Sequence, residues 1–372
     1  MTRTILRSTR RKPNPTGDGY DRRSLQLAEL VKAAEFEIAD IQKLAKNRIT
    51  KYINGFFFLC KHRFQLYPLY KLYYSIDFLH LYRAIRICGE EVENYKNTFN
   101  QYKGIKLLLW EATEKQIPHY LAHKAGFKLV VAPHNFESLV VDLNNPYAIN
   151  PIINRLKIEI EQLAKADAIF CISREEQWLL NQFGIKANFL PYYPPKQILS
   201  EFLAIREVRK NSHQNRFLIL GTAKNPPTFL GMKKQIKYLQ KIKQTFDFEL
   251  DIAGYGTEKL QPYCENLNFK LHGTVDSQKL NQLLTSAKAV LIYQESGVGA
   301  LTKIPEMLIS GIPVIANSHA CRSALAYSGV YSYENNDELA KLMIQKLDMP
   351  EIPSRPTDAE RRFINCLKNL SV

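Results

Sequence analysis

Short apolar runs bounded by turn formers alternate along this chain with stretches whose apolar residues recur at helical spacing. Runs of this kind read as strands buried on both faces, the pattern of a parallel sheet. In the first half they fall at 4–7, 105–110, 129–132 and 168–172. In the second half they fall at 217–220, 248–253, 269–272, 289–293 and 313–316. Helical periodicity predicts helices at 24–34, 154–165, 233–245, 277–287 and 304–310. Such alternation of strand and helix is the mark of an α/β architecture.

The alternation breaks at Leu190-Pro191-Tyr192-Tyr193-Pro194-Pro195. Proline clusters continue neither a helix nor a central strand. A polar, basic segment then runs to Arg216, so a linker is expected over 191–215. The chain reads as a first domain over 1–195, a second over 196–350 and a tail over 351–372 that ends in a helical stretch. The tail either packs back across the molecule or is a loosely attached terminal helix. Open α/β sheets bind ligands beyond the carboxyl ends of their strands, so two such domains are expected to face an interdomain cleft that holds the site.

Composition changes this picture little. Of 372 residues, 45% are hydrophobic and 23% charged, which suits a folded chain with two cores. No apolar stretch approaches the ~18 residues of a membrane span, and the basic N-terminus is followed by no apolar secretory region. The six cysteines are scattered without a paired spacing, which fits reduced thiols better than disulfides or zinc. A cytoplasmic protein is therefore expected.

Charge changes it more. The net charge is +15, and residues 1–63 carry 14 Lys/Arg against 6 Asp/Glu, a surplus of eight. Anionic lipid, nucleic acid and phosphorylated ligands each suit such a balance. No zinc finger, RNP-type aromatic motif or KH glycine signature supports nucleic acid. The segment 52–87 is dense in Phe and Tyr laced with Lys and Arg. It reads either as an interfacial surface at the inner face of a membrane, or as aromatics filling the first domain's core.

The strongest candidate chemistry lies in Gly297-Val298-Gly299-Ala300-Leu301-Thr302-Lys303-Ile304-Pro305-Glu306, followed by Gly311-Ile312-Pro313-Val314. Gly297 and Gly299 let backbone approach a ligand closely. Free N–H groups and a helix N-terminus favour phosphate, and Lys303 adds a cation. Glu306 lies on the same helical face as Lys303, and a carboxylate can accept from both hydroxyls of a ribose.

This stretch resembles the donor-site signature of the retaining glycosyltransferases of family 4, which have the GT-B fold of two Rossmann-like parallel-sheet domains. The resemblance continues along the chain. The Gly221-Thr222-Ala223-Lys224 segment is similar to the phosphate loop that opens the second domain, with Thr222 and Lys224 as diphosphate contacts. Gly254-Tyr255-Gly256 resembles the family's turn near the nucleotide, and His272-Gly273-Thr274-Val275 the segment beside the base. Gly17-Asp18-Gly19 stands where the family has a glycine-rich loop that touches phosphates or acceptor, and a plain turn fits it as well. Pro133-His134-Asn135 resembles a segment whose histidine contacts the transferred sugar, against the reading of a satisfied histidine at a strand end. Ser173 is expected to cap a helix with Glu176 at the capping-box position. One departure stands out: the first of the family's two glutamates would fall at Val298, and Glu295 is out of register.

The resemblance implies transfer of a sugar from a nucleotide diphosphate sugar with retention of configuration. His134, Lys303 and Glu306 would be the catalytic group, and no metal or other cofactor is needed. The acceptor (a glycan, lipid-linked sugar, peptide or small molecule) is expected to meet the first domain. Two other readings share the fold: a nucleotide-sugar epimerase or hydrolase, and a non-catalytic glycosyltransferase-like subunit.

Overall fold

The computed structural model describes residues 3–42, 48–62, 78–111, 113, 118–140, 152–212, 214–265, 268–295 and 297–371. The chain divides into two compact units. The first comprises 1–13, 24–191 and 356–372, and the second comprises 14–23 and 192–355.

The first unit is built on a six-stranded parallel sheet. Its strands are β1 (Arg3–Ser8), β2 (Phe36–Asp40), β3 (Leu107–Trp110), β4 (Lys128–Val131), β5 (Ala168–Cys171) and β6 (Asn188–Phe189). Their order is β2-β1-β3-β4-β5-β6. Strands β3 and β5, reading LLLW and AIFC, are the near-continuous apolar runs that a sheet covered on both faces demands. Leu27, Leu30 and Val31 of α1 (Gly19–Ala33) join the core on this sheet. So do Ala359, Phe363 and Leu367 of the terminal helix Thr357–Leu370. The Phe363 ring meets Phe170 edge-on at 4.9 Å. The first unit also holds α2 (Arg48–Lys61) against α3 (Phe78–Gln101), through Gly55 and Gly89, where backbone meets backbone. These two helices account for much of 52–87, and 63–77 lies outside the described residues.

The second unit repeats the plan with β7 (Arg216–Leu220), β8 (Glu249–Ala253), β9 (Lys270–Gly273), β10 (Ala287–Ile292), β11 (Val314–Asn317) and β12 (Val330–Tyr333). All pair in parallel, in the order β12-β11-β10-β7-β8-β9. Its core gathers Phe217, Ile219, Leu250, Ile252 and Leu291 under Ile236 and Leu239 of the helix Pro226–Lys243. The reversal of strand order falls between β7 and β10, so the loops that leave these two strands flank the crevice where such sheets take ligands.

Three strands escape the sequence pattern: β2, β6 and β12. All are edge strands, and their residues are largely half-exposed, as in FEIAD and VYSY. An edge strand needs no continuous apolar run. The expected linker over 191–215 also needs correction, because a helix, Lys196–Arg209, occupies most of it. Its two arginines are not solvated linker charge. Arg209 is buried and donates to the carbonyls of Leu284, Thr285, Ala287 and Gly311, while Arg206 donates to those of Leu308 and Pro350. Most of these carbonyls lie at helix ends, where they lack intrahelical partners. Burial pushes the Arg209 guanidinium down to about 10. Among the described residues no helix is long and apolar enough to cross a membrane.

Candidate functional site

In the second unit three glycine turns converge at the carboxyl ends of β7, β8 and β10. Gly221 donates its N–H to Ala253 O at 3.1 Å, and Ala223 donates to Tyr255 O at 2.8 Å. Gly254 donates to Gly273 O at 2.8 Å. The turns after β7, β8 and β9 are thus laced together by backbone hydrogen bonds. Gly254 has φ 133°, and a Cβ there would run into the Gly221 carbonyl. Gly254→Ala is therefore expected to cost about 2 kcal/mol. Urea denaturation should show the lowered midpoint.

Lys303 ties the third turn to the first. It opens the helix Lys303–Ile309 and donates its ammonium to Leu220 O at 3.1 Å. It lies 3.4 Å from where a Gly221 Cβ would sit. Burial pushes its pKa down to about 8, although Glu306 works in the opposite direction. The helix is only seven residues long, so Lys303 and the loop N–H groups, rather than a long helix dipole, offer the positive charge.

Glu306 is buried one turn on, at 7% exposure. Tyr192 Oη donates to its Oε1 at 2.6 Å, and Arg22 Nε lies 3.7 Å away. Burial raises the Glu306 carboxyl, while Arg22, Tyr192 and Lys303 pull it down. Burial and the neighbouring Glu306 raise Tyr192, which therefore stays a donor.

Gly297 and Gly299 adopt φ of 106° and 77°. Their carbonyls are held from outside the loop: His319 Nε2 donates to Gly297 O at 3.2 Å, and Arg322 to Gly299 O at 2.7 Å. Burial and Arg322 lower the His319 pKa. Asn317, at the end of β11, exchanges two 2.8 Å hydrogen bonds with the Gln294 backbone. The sequence reading missed Asn317, His319 and Arg322. Their positions just after the Gly-Ile-Pro-Val strand were the available signal, because that strand neighbours β10.

The remaining expected residues of this unit are placed as follows. Thr222 is half-buried in the first turn, while Lys224 is exposed with its ammonium 3.9 Å from the Tyr255 ring centroid. Gly256 packs against the Lys224 backbone. His272 Nε2 lies 2.6 Å from Asp251 Oδ1. Burial raises Asp251, but the hydrogen bonds from Arg216 and His272 outweigh it and hold the carboxyl below its ordinary range. Val275, Val298, Ala300, Leu301 and Thr302 are half-buried. Glu295 pairs with Lys234 at 3.2 Å and accepts from Tyr293 at 3.0 Å. A Cβ on Gly19 would come within 2.9 Å of Thr302 Oγ1. Asp18, between Gly17 and Gly19, accepts from the Tyr20 and Asp21 N–H groups at 3.0 and 3.4 Å, so it caps α1 and starts that helix five residues ahead of the expected 24.

His134 belongs to the first unit, in the turn after β4. Two buried carboxylates clamp that turn. Glu159 accepts from the N–H groups of Glu137 and Ser138, each at 2.9 Å, and Glu176 from Phe136 N at 3.0 Å. Burial raises Glu159 against the opposing bonds from Ser138 and Glu137. Ser173 caps its helix as expected, accepting from Glu176 N at 3.2 Å, while the Glu176 carboxylate also serves the turn. His134 Nε2 is 3.6 Å from Glu111 Oε2, and Ser24 Oγ donates to the same oxygen at 2.5 Å. Glu111 is fully buried directly after β3, and the sequence reading missed it because it looks like any loop acid. Among the described residues no cluster of His, Cys, Asp and Glu is placed to hold a metal ion.

No family model matches the sequence, and no curated protein matches it. Solved structures do match its fold. The structure of sucrose-phosphate synthase from Thermosynechococcus elongatus superposes with a TM-score of 0.57 at 13% identity, over 99% of this chain and 96% of that one. Anabaena HepE, in complex with UDP and glucose, gives 0.58 at 12% identity, over 98% and 99%. The UDP-GlcNAc 2-epimerase of Methanocaldococcus jannaschii, with UDP-GlcNAc and UDP, gives 0.53 at 12% identity, over 99% and 100%. The fold is therefore GT-B, with two Rossmann-like α/β units, and glycosyltransferases and an epimerase share it.

Proposed function

We propose that this chain is a glycosyltransferase that takes its sugar from a nucleotide diphosphate sugar, with UDP as the nucleotide. The observation that carries the reading is the convergence of three glycine turns on Lys303 beside the buried carboxylate of Glu306. The two fold neighbours with UDP bound, HepE and the epimerase, support uridine as the base.

In this reading Glu306 accepts from the ribose hydroxyls. Thr222, Lys303 and the N–H groups of 222, 224 and 297–302 hold the diphosphate, with Lys224 and Tyr255 at its outer side. Gly254, Gly256, His272, Gly273 and Val275 border the nucleotide. When the bond from the anomeric carbon to the diphosphate oxygen breaks, negative charge grows on the leaving group. Fixed donors and the Lys303 ammonium stabilise that charge without reorganising. His134, steadied by Glu111, Glu159 and Glu176, contacts the transferred sugar. The family 4 resemblance around Lys303 and Glu306 supports retention of configuration, and the reading invokes no metal.

Thermal melting with UDP, GDP, ADP, CDP and dTDP tests it. UDP at a hundredfold excess over its Kd should stabilise the protein by about 2.7 kcal/mol, and the other nucleotides should do less. A melting temperature unmoved by all five would overturn the donor assignment. Incubation with UDP-sugars and candidate acceptors should then yield a glycoside with its anomeric configuration retained. Release of a free sugar or of an epimer alone would reassign the chemistry.

A further inference from the structure

The solvent-facing side of α2 is the reverse of what an ordinary surface helix shows. Ile49, Ile53, Phe56 and Phe57 are 65%, 49%, 53% and 67% exposed, and Cys60 is exposed one turn further. These positions, spaced at i, i+4, i+7, i+8 and i+11, form one continuous stripe. The opposite side of the helix is fixed, because Gly55 lies against the backbone of Ile85 and Gly89, and Gly89 against that of Lys51. The stripe therefore cannot turn inward without breaking a backbone-to-backbone contact. Contiguous exposed apolar surface on this scale marks an interaction site.

Beside the stripe lies a cavity of about 330 Å³ that Phe57 and Phe58 help to line. Lys61, Lys96 and Lys124 stand around it, all exposed. Among the described residues that line the cavity, one carboxylate, Glu93, accompanies these three cations, and it is buried and takes the Asn54 amide. An apolar stripe beside a lysine-ringed hollow matches a surface that is greasy below and anionic above. We propose that α2 and this cavity dock the protein on an anionic phospholipid bilayer. Ile49, Ile53, Phe56 and Phe57 enter the boundary between headgroups and acyl chains, and the three lysines meet lipid phosphates. The excess of basic residues in 1–63 adds attraction of the same sign.

This inference goes beyond the donor-site reading and does not rest on it. Co-sedimentation with vesicles of equal parts phosphatidylcholine and phosphatidylglycerol tests it, with phosphatidylcholine vesicles as reference. The protein should bind the mixed vesicles at least tenfold better than the neutral ones. The double variant Phe56→Ser, Phe57→Ser should lose at least tenfold of that binding. Lys61→Glu with Lys124→Glu should remove the preference for anionic lipid. Both pairs are exposed, so the variants should melt as the wild type does, and any UDP-induced shift should be the same in all three proteins. Equal binding to both vesicles, no binding to either, or unimpaired binding by the phenylalanine variant would each overturn the proposal. So would sedimentation velocity showing a dimer that the phenylalanine variant abolishes while vesicles capture neither protein.

Discussion

Glu306→Ala is expected to weaken UDP binding by about a hundredfold. A hydrogen bond to a charged group contributes about 1.5–3 kcal/mol, and the proposed ribose contact uses two. Losing about 3 kcal/mol is somewhat more than a hundredfold in Kd. The variant should also melt lower. Removing the carboxylate strands Tyr192 Oη and leaves Arg22 and Lys303 without the negative charge between them. Tyr192→Phe separates the two effects. It deletes the 2.6 Å hydrogen bond but leaves a carboxylate able to accept from a ribose. That variant should lose about 1.5–3 kcal/mol of stability and keep its UDP affinity within a few fold. Isothermal titration calorimetry on both variants decides the matter. A folded Glu306→Ala protein that binds UDP as tightly as the wild type would remove Glu306 from the ribose.

Lys303→Met should split stability from function in the opposite sense. An ammonium held out of water is a cost to the folded state, which is why its pKa falls to about 8. Replacing it with an apolar chain of similar length should leave stability unchanged or raise it by about 1–2 kcal/mol. Diphosphate affinity should meanwhile fall by about 10–100-fold.

The pH dependence carries the same signature. Because the folded pKa lies below the ordinary 10.5, the unfolded chain holds the proton between about pH 8 and 10.5 while the folded one has released it. The Lys303 contribution to stability therefore rises with pH across that window, against the opposite contribution of Cys264, Cys366 and the buried tyrosines, whose pKa values burial raises. UDP affinity runs the other way, since only the ammonium form attracts the diphosphate. It should fall above about pH 8 by up to tenfold per pH unit. In Lys303→Met the affinity should become level with pH, and stability should lose the rising contribution and fall more steeply with pH than in the wild type. A wild-type affinity that is level from pH 7 to 10 would show that Lys303 does not serve the phosphates.

Much of this was legible in the linear sequence, for a local reason. The apolar runs of central strands are dictated by burial on both faces, so β3, β5, β8 and β10 announce themselves within a few residues. Glycines that need left-handed backbone, as at 254, 256, 297 and 299, and a lysine and glutamate one helical turn apart are likewise short-range patterns. Tertiary structure alone decided what those groups meet. Glu306 is joined to Tyr192 across 114 positions, and Glu111 to Ser24 across 87. Arg209 closes helix ends 75 and more residues away, so a segment that reads as a basic linker is a helix anchored by a buried, fully engaged arginine. The exposed stripe of α2 follows the same rule. Its aromatic content is plain in sequence, but which side faces water is set by Gly55 and Gly89 on two different helices. Residue type and spacing carry the chemistry a group can perform. Its partner, and its distance from water, depend on chain segments that only the folded topology brings together.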